Sequence, residues 1–364
     1  MTAKNRFRNL NVDPWWRFIF RKNDRLTSVG PYFLSRLYAT SPRFFPLYES
    51  SKDIRIVLFK GSRIKGVDRV ILKLIPLYLR IFARKFDRYQ WLLLFSTKWS
   101  MGMLCNQLLH FDDPEYTKGE LLDIFRWESY VTKRGKKTQI VCTSEFTREY
   151  LLKNEVVSKV EVIPQGHSMS MSELQFLRKA SLENNKKLRL VYASPSIDIH
   201  GDVHGGHINW DASVLLSEIW PRLQETGRFE LHLVGKIGVN AGKILSDESV
   251  VKHGLVSISD CSAILQNCDI GLYPRVRDNF RQAQKISEYI GAGLAIVAFR
   301  LIDTSLVESL GVGISVDSIE DFVQAIQELE NDRDHLETLK FKSRESGLNL
   351  HWSSLAAKLD QISR

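Results

Sequence analysis

From residue 187 onward, short apolar runs alternate with segments whose apolar residues recur every three or four positions. KLRLVYAS (187–194), FELHLVG (229–235), HGLVS (253–257), CDIGLY (268–273), LAIVAF (294–299) and GVGISV (311–316) are β-branched or aromatic, which predicts strands. NWDASVLLSEIWPRLQETG (209–227) predicts a helix capped near Asn209 or Asp211. Helical patterns separate the later strands, so the array reads βαβ. Continuous apolar strands predict a mostly parallel sheet covered on both faces.

The first half carries the same alternation less clearly. RIVLFKG (55–61), YQWLLLFS (89–96) and QIVCTS (139–144) predict strands, and PYFLSRLY (31–38), DRVILKLIPLYLRIFARKF (68–86) and KGELLDIFRWESYV (118–131) predict helices. A second α/β domain follows. The segment 148–174 runs from a helix through a short strand to a Pro-Gln-Gly turn and reads as the link between domains. The expected division is 1–160, 161–345 and a C-terminal segment, 346–364, packing back across the cleft.

Length supports this division, since 364 residues suffice for two cores. The four cysteines, Cys105, Cys142, Cys261 and Cys268, have neither CxxC spacing nor the density of a secreted scaffold, which points to a reduced cytoplasmic setting. The apolar part of the N-terminal segment is short and broken by Arg17, so it reads as neither signal peptide nor spanning helix. Charge is uneven: residues 1–160 hold 30 Lys+Arg against 15 Asp+Glu, whereas 161–364 hold 21 against 27. The first half is therefore expected to face something anionic, whether membrane, nucleic acid or phosphorylated substrate.

The densest chemistry lies in YPRVRDNFRQAQKISEYIGAGLAIVAF (273–299). Strand, loop, helix and strand follow in order, and in a parallel sheet such a loop opens onto the ligand crevice, where the next helix offers unpaired N–H groups. A helix over 281–293 would set Arg281 and Lys285 on one face with Glu288 a turn further, two cations for a diphosphate and a carboxylate for a diol. The plain alternative is a solvated helix face with Glu288 paired to Lys285.

This run resembles the C-terminal domain of GT-B glycosyltransferases, particularly bacterial enzymes with the pattern P-x-x-D-N-x-x-x-x-x-K-x-x-E-Y-x-A-x-G-x-P-I-V-A. CTSEFTREYL, VEVIPQG, FELHLVGKIG and HGLVSISDCSAILQNCDIGLYP extend the resemblance over about residues 139–345. It implies an α/β fold of two Rossmann-like domains facing across a cleft, with Glu288 on the nucleotide ribose and Lys285 on the diphosphate. Arg281, Tyr289, Gly235, Lys236 and His207 are counted with the donor site. The implied reaction moves a sugar from a nucleotide diphosphate, a uridine one, to a hydroxyl of a glycan or lipid-linked acceptor, with no metal or other cofactor. Two departures stand out. Phe280 occupies the place where many retaining members carry a second Glu, and SPSIDIHGDVHGGHINWD replaces an Arg/Lys pair after the domain's first strand. Donor sugar and stereochemistry stay open.

His200, His204 and His207 lie with Asp198 and Asp202 in one Gly-rich stretch. Its glycines argue for a pliable loop beside the donor, or plain surface, over a rigid metal site. NQLLHFDDPEY (106–116) offers Asp112 or Asp113 as general base and His110 as a sugar or acceptor contact, or else merely a capped turn. Gly30, in LTSVGPYF, is a weak candidate for close approach of backbone to acceptor. The stretch 61–89 interleaves eight cations with Ile, Leu, Phe and Tyr, which suits either docking on the anionic inner face of a membrane or a packed helix with a solvated side. A basic nucleic-acid-binding protein is the rival class, but no such motif is visible and no nucleic acid is expected.

Overall fold

The computed structural model describes residues 133, 139–153, 160–169, 187–199, 211–241, 247–277 and 283–362, together with the backbone alone of 26–27, 54–57, 91–94, 106–111, 138, 202–204, 207–209 and 242–244. The chain divides into two compact units, Met1–Gln165 with Trp352–Arg364, and Gly166–His351.

In the first unit, β1 (Leu26–Thr27), β2 (Ile54–Val57), β3 (Trp91–Leu94), β4 (Asn106–Phe111), β5 (Thr138–Cys142) and β6 (Val160–Val162) form one parallel sheet in chain order. β1 and β4 add strands where the apolar pattern was too short to announce them. β5 buries Ile140, Val141 and Cys142 completely. Helix α1 (Glu145–Lys153) starts where Ser144 Oγ accepts the N–H of Thr147 at 3.1 Å, which satisfies one orphan donor of the first turn.

The second unit opens with β7 (Leu188–Ile197) and a hairpin of β8 (Asp202–His204) and β9 (His207–Asn209). Helix α2 follows over 211–224, with a π-helical turn at Leu215–Ile219. Next come β10 (Phe229–Ile237), α3 (Val239–Ile244), β11 (Val250–Gly254), α4 (Ile258–Gln266), β12 (Ile270–Tyr273) and α5 (Gln284–Gly291). The unit ends with β13 (Ala295–Phe299), α6 (Ser305–Ser309), β14 (Gly313–Val316), α7 (Ile319–Asn331) and α8 (Arg333–Leu350). Its sheet is parallel throughout, in the order β11-β10-β7-β12-β13-β14. The chain thus begins at the middle strand, winds to one edge, and returns to wind to the other. The order reverses between β7 and β12, the place where ligands bind in open α/β sheets.

Alternation along the strands explains the two covered faces. Leu188, Leu190 and Tyr192 of β7 pack with Leu215, Ile219, Phe322 and Ile326, whereas Val191 and Ala193 pack with Ile286, Tyr289 and Ile290. One expected strand moves. HGLVS (253–257) gives way to Val250–Gly254, because pairing with β10 begins at Leu231↔Val250 and Gly254 turns the chain with φ 69°.

Helix α9 (Trp352–Ile362) returns to the first unit, where Lys358 Nζ donates to Val162 O at 3.1 Å. Within the second unit the chain's entry and exit lie side by side. The His167 N–H donates to Leu350 O at 3.1 Å, His167 Nε2 donates to Gly347 O at 2.8 Å, and Nδ1 accepts from the Met169 N–H at 3.2 Å. Burial pulls the His167 pKa down to about 4, so the ring is neutral and its tautomer is fixed by these contacts.

Candidate active site

β7 and β12 pair only through Ile270↔Leu190 and Gly271↔Val191 before they part. Tyr289 of α5 stands where the next rung would be: its hydroxyl accepts from the Ala193 N–H at 3.1 Å and donates to Leu272 O at 3.3 Å. The ring fits because position 271 is glycine, where a Cβ would lie 2.5 Å from Tyr289 Cδ2. Tyr289 is wholly buried, and both roles of its hydroxyl are committed to backbone. It wedges the switch point open, satisfying the backbone groups that the divergence exposes.

The parted strands present Tyr192 and Tyr273, and Lys285 from the first turn of α5 lies over them. Its Nζ is 4.3 Å from the Tyr192 ring centroid, 5.7 Å from that of Tyr273, and 3.3 Å from the Tyr192 hydroxyl. Burial raises both phenols well above their usual range, so Lys285 faces neutral rings. Loss of water pulls the Lys285 pKa down to about 8, with Arg275 pushing the same way and Asp211, Glu288 and Asp303 opposing. With a pKa near 8 the group is still an ammonium at neutral pH, and an anion beside it would restore what burial takes away.

Behind the rings sits a network that sequence reading missed. The Tyr273 hydroxyl donates to Asp303 Oδ2 at 2.8 Å, and Arg275 Nε lies 3.8 Å from the same oxygen. Asp303 and Asp211 are buried, and Asp211 opens α2. These residues stand at 192, 211, 273, 275, 285 and 303, so no window of sequence contains them. Apart from Tyr192, which lies within β7, their shared signal is position, at or just past strand ends or at the start of a helix.

Glu288 is part-buried one turn beyond Lys285, and its Oε1 accepts from Gln284 Nε2 at 3.0 Å. Helix α5 begins at Gln284, because Ala283 is extended (φ −73°, ψ 114°) and gives its N–H to Asp303 O at 3.1 Å. The described helix is therefore shorter than the expected 281–293, and Arg281 and Phe280 lie outside the described residues.

Other candidates fall elsewhere. Gly235 is buried at a register shift of β10 with φ 146°, and a Cβ there would run into Ser194 O, so it serves strand contact. Lys236 is exposed next to it, on the side of β7 away from β12. Within the Gly-rich stretch β8 and β9 pair antiparallel with His204↔His207 in register, and the His207 side chain lies outside the described residues. Asp198 accepts from the N–H groups of Ile199 at 2.7 Å and Ala241 at 3.2 Å, which ties it to α3. No three His, Cys, Asp or Glu side chains gather as a metal would require among the described residues. No described helix is long and apolar enough to cross a membrane. The backbone of His110 lies in β4; its side chain, Asp112, Asp113, Gly30 and the stretch 61–89 lie outside the described residues.

The sequence matches no protein-family model and no curated protein. Solved structures do resemble it. HepE of Anabaena in complex with UDP superposes with a TM-score of 0.58 at 11% identity, over 93% of this chain and 90% of that one. A glycosyltransferase of Rickettsia africae gives 0.60 at 14% identity, over 93% and 88%. An α,α-trehalose-phosphate synthase (UDP-forming) of Burkholderia xenovorans in complex with glucose-6-phosphate gives 0.53 at 11%, over 91% and 83%. Chains this far apart in sequence share a fold alone, and the fold this chain shares with them is GT-B, the two-domain α/β fold of glycosyltransferases.

Proposed function

We propose that the protein is a glycosyltransferase that binds a nucleotide diphosphate sugar, a UDP sugar, at the switch point of its second unit. The observation that carries this reading is Lys285, an ammonium set over two neutral rings where the sheet order reverses. Glu288, a turn along the same helix, suits the ribose hydroxyls. The UDP complex of HepE and the UDP-forming trehalose-phosphate synthase support the nucleotide. Cations would stabilise the departing diphosphate in place of a metal.

The acceptor hydroxyl, on a glycan or lipid-linked molecule, would meet the basic first unit. Asp112 and Asp113 directly follow Phe111, the last residue of β4, and the C-terminal end of a parallel strand suits a general base, with His110 beside them as an acceptor contact. The stretch 61–89 would rest on the inner face of an anionic membrane. Titration with UDP followed by calorimetry, and a screen of UDP sugars for donor hydrolysis or transfer, test the reading. Lys285→Ala should weaken UDP binding at least tenfold. Failure of the unaltered protein to bind UDP, or to turn over any nucleotide sugar, would overturn it.

A further inference from the structure

A diphosphate carries more charge than Lys285 alone neutralises, and Arg275 stands where a second cation is useful. It follows β12 by two residues, at the carboxyl end of the strand that flanks the switch point. Its Nε–H donates to Arg277 O at 2.8 Å and lies 3.8 Å from Asp303 Oδ2, which fixes the guanidinium plane. The Nη edge of such a fork is the part that suits bidentate contact with phosphate oxygens.

Arg275 and Lys285 converge on one phenol. Lys285 Nζ approaches the Tyr273 ring, while Arg275 shares Asp303 with the Tyr273 hydroxyl. Arg275 is also among the groups that push the Lys285 pKa down, so the two cations feel each other across the site. Asp303 is 0% exposed, whereas the Arg275 side chain keeps 28% of its exposure, so the carboxylate is backing and the guanidinium is the accessible member of the pair. We infer that Arg275 is a second anion-binding residue, acting with Lys285, and that the pair selects a diphosphate over a single phosphate. This rests on the nucleotide-sugar reading and extends it to a residue outside the motif that suggested it.

The rival explanation is that Arg275 only neutralises Asp303. Titrations of the full chain with UDP and with UMP separate the two. The unaltered protein should prefer UDP, and Arg275→Ala should lower UDP affinity ten- to hundredfold while leaving UMP within about twofold, so the preference collapses. Arg275→Lys keeps a cation beside Asp303 without the fork; it should retain the thermal midpoint and lose most of the preference, which covers the case in which the alanine variant does not fold. A UDP-to-UMP ratio unchanged in either folded variant overturns the inference while leaving the nucleotide-sugar reading intact. Binding of neither nucleotide by the unaltered protein overturns both.

Discussion

Replacing Lys285 with methionine should stabilise the second unit while destroying its grip on nucleotide. Burial lowers the Lys285 pKa from 10.5 to about 8, which makes the charged form roughly 3 kcal/mol more costly in the fold than in water. The shift already contains what the π face of Tyr192, 4.3 Å away, returns, so about 3 kcal/mol is the net cost at pH 7. Methionine keeps an unbranched, adaptable stem and removes the charge. Because the folded pKa lies below the unfolded one, the cost is fully present below about pH 8, and the unaltered protein recovers stability as the pH rises from about 8 to 10.5. The advantage of Lys285→Met should accordingly be about 3 kcal/mol at pH 7 and vanish by about pH 10.5. Urea titrations read by hydrogen exchange of the core strand Ile270–Tyr273 follow this unit specifically. A methionine variant less stable than the parent at pH 7, or an advantage that does not shrink between pH 8 and 10, would refute the electrostatic account of this site.

Three other outcomes follow from the same geometry. Tyr289→Phe strips the partner from the Ala193 N–H and Leu272 C=O and should cost about 1–3 kcal/mol in urea denaturation, with UDP affinity held within a few-fold, as befits a wedge rather than a ligand contact. Gly271→Ala drives a methyl into the same buried ring and should cost about 1–3 kcal/mol, most of it relieved when combined with Tyr289→Leu. His167 is neutral in the fold down to about pH 4, whereas the unfolded chain takes a proton near 6.5, so stability present above 6.5 should fall by up to roughly 3 kcal/mol as the pH drops to 4. His167→Gln, which can still donate to Gly347 O, should flatten that acid limb in urea midpoints taken from pH 7 to 4.

The second unit was legible because its strands are buried on both faces. Leu190, Leu231, Leu272 and Val297 are all fully buried, and an apolar run between turn residues announces such a strand without reference to its neighbours. The errors fall where partners decide. The start of α5 depends on Asp303 O holding the Ala283 N–H, and the start of β11 depends on Leu231 opposite Val250. The pairing of β8 with β9 depends on a cross-strand register that the abundance of glycine concealed.

Sequence by itself determined the parallel α/β character of Gly166–His351 and the presence of Lys285 and Glu288 on one helix, because periodicity and i, i+3 spacing are local properties. Tertiary structure alone decided what surrounds that lysine. Tyr192, Asp211, Arg275 and Asp303 meet it only because the strand order reverses between β7 and β12, and that reversal is a property of the whole sheet. It also decided the setting of Tyr289, whose hydroxyl sits in the gap between parting strands and satisfies two backbone groups that would otherwise be buried unpaired.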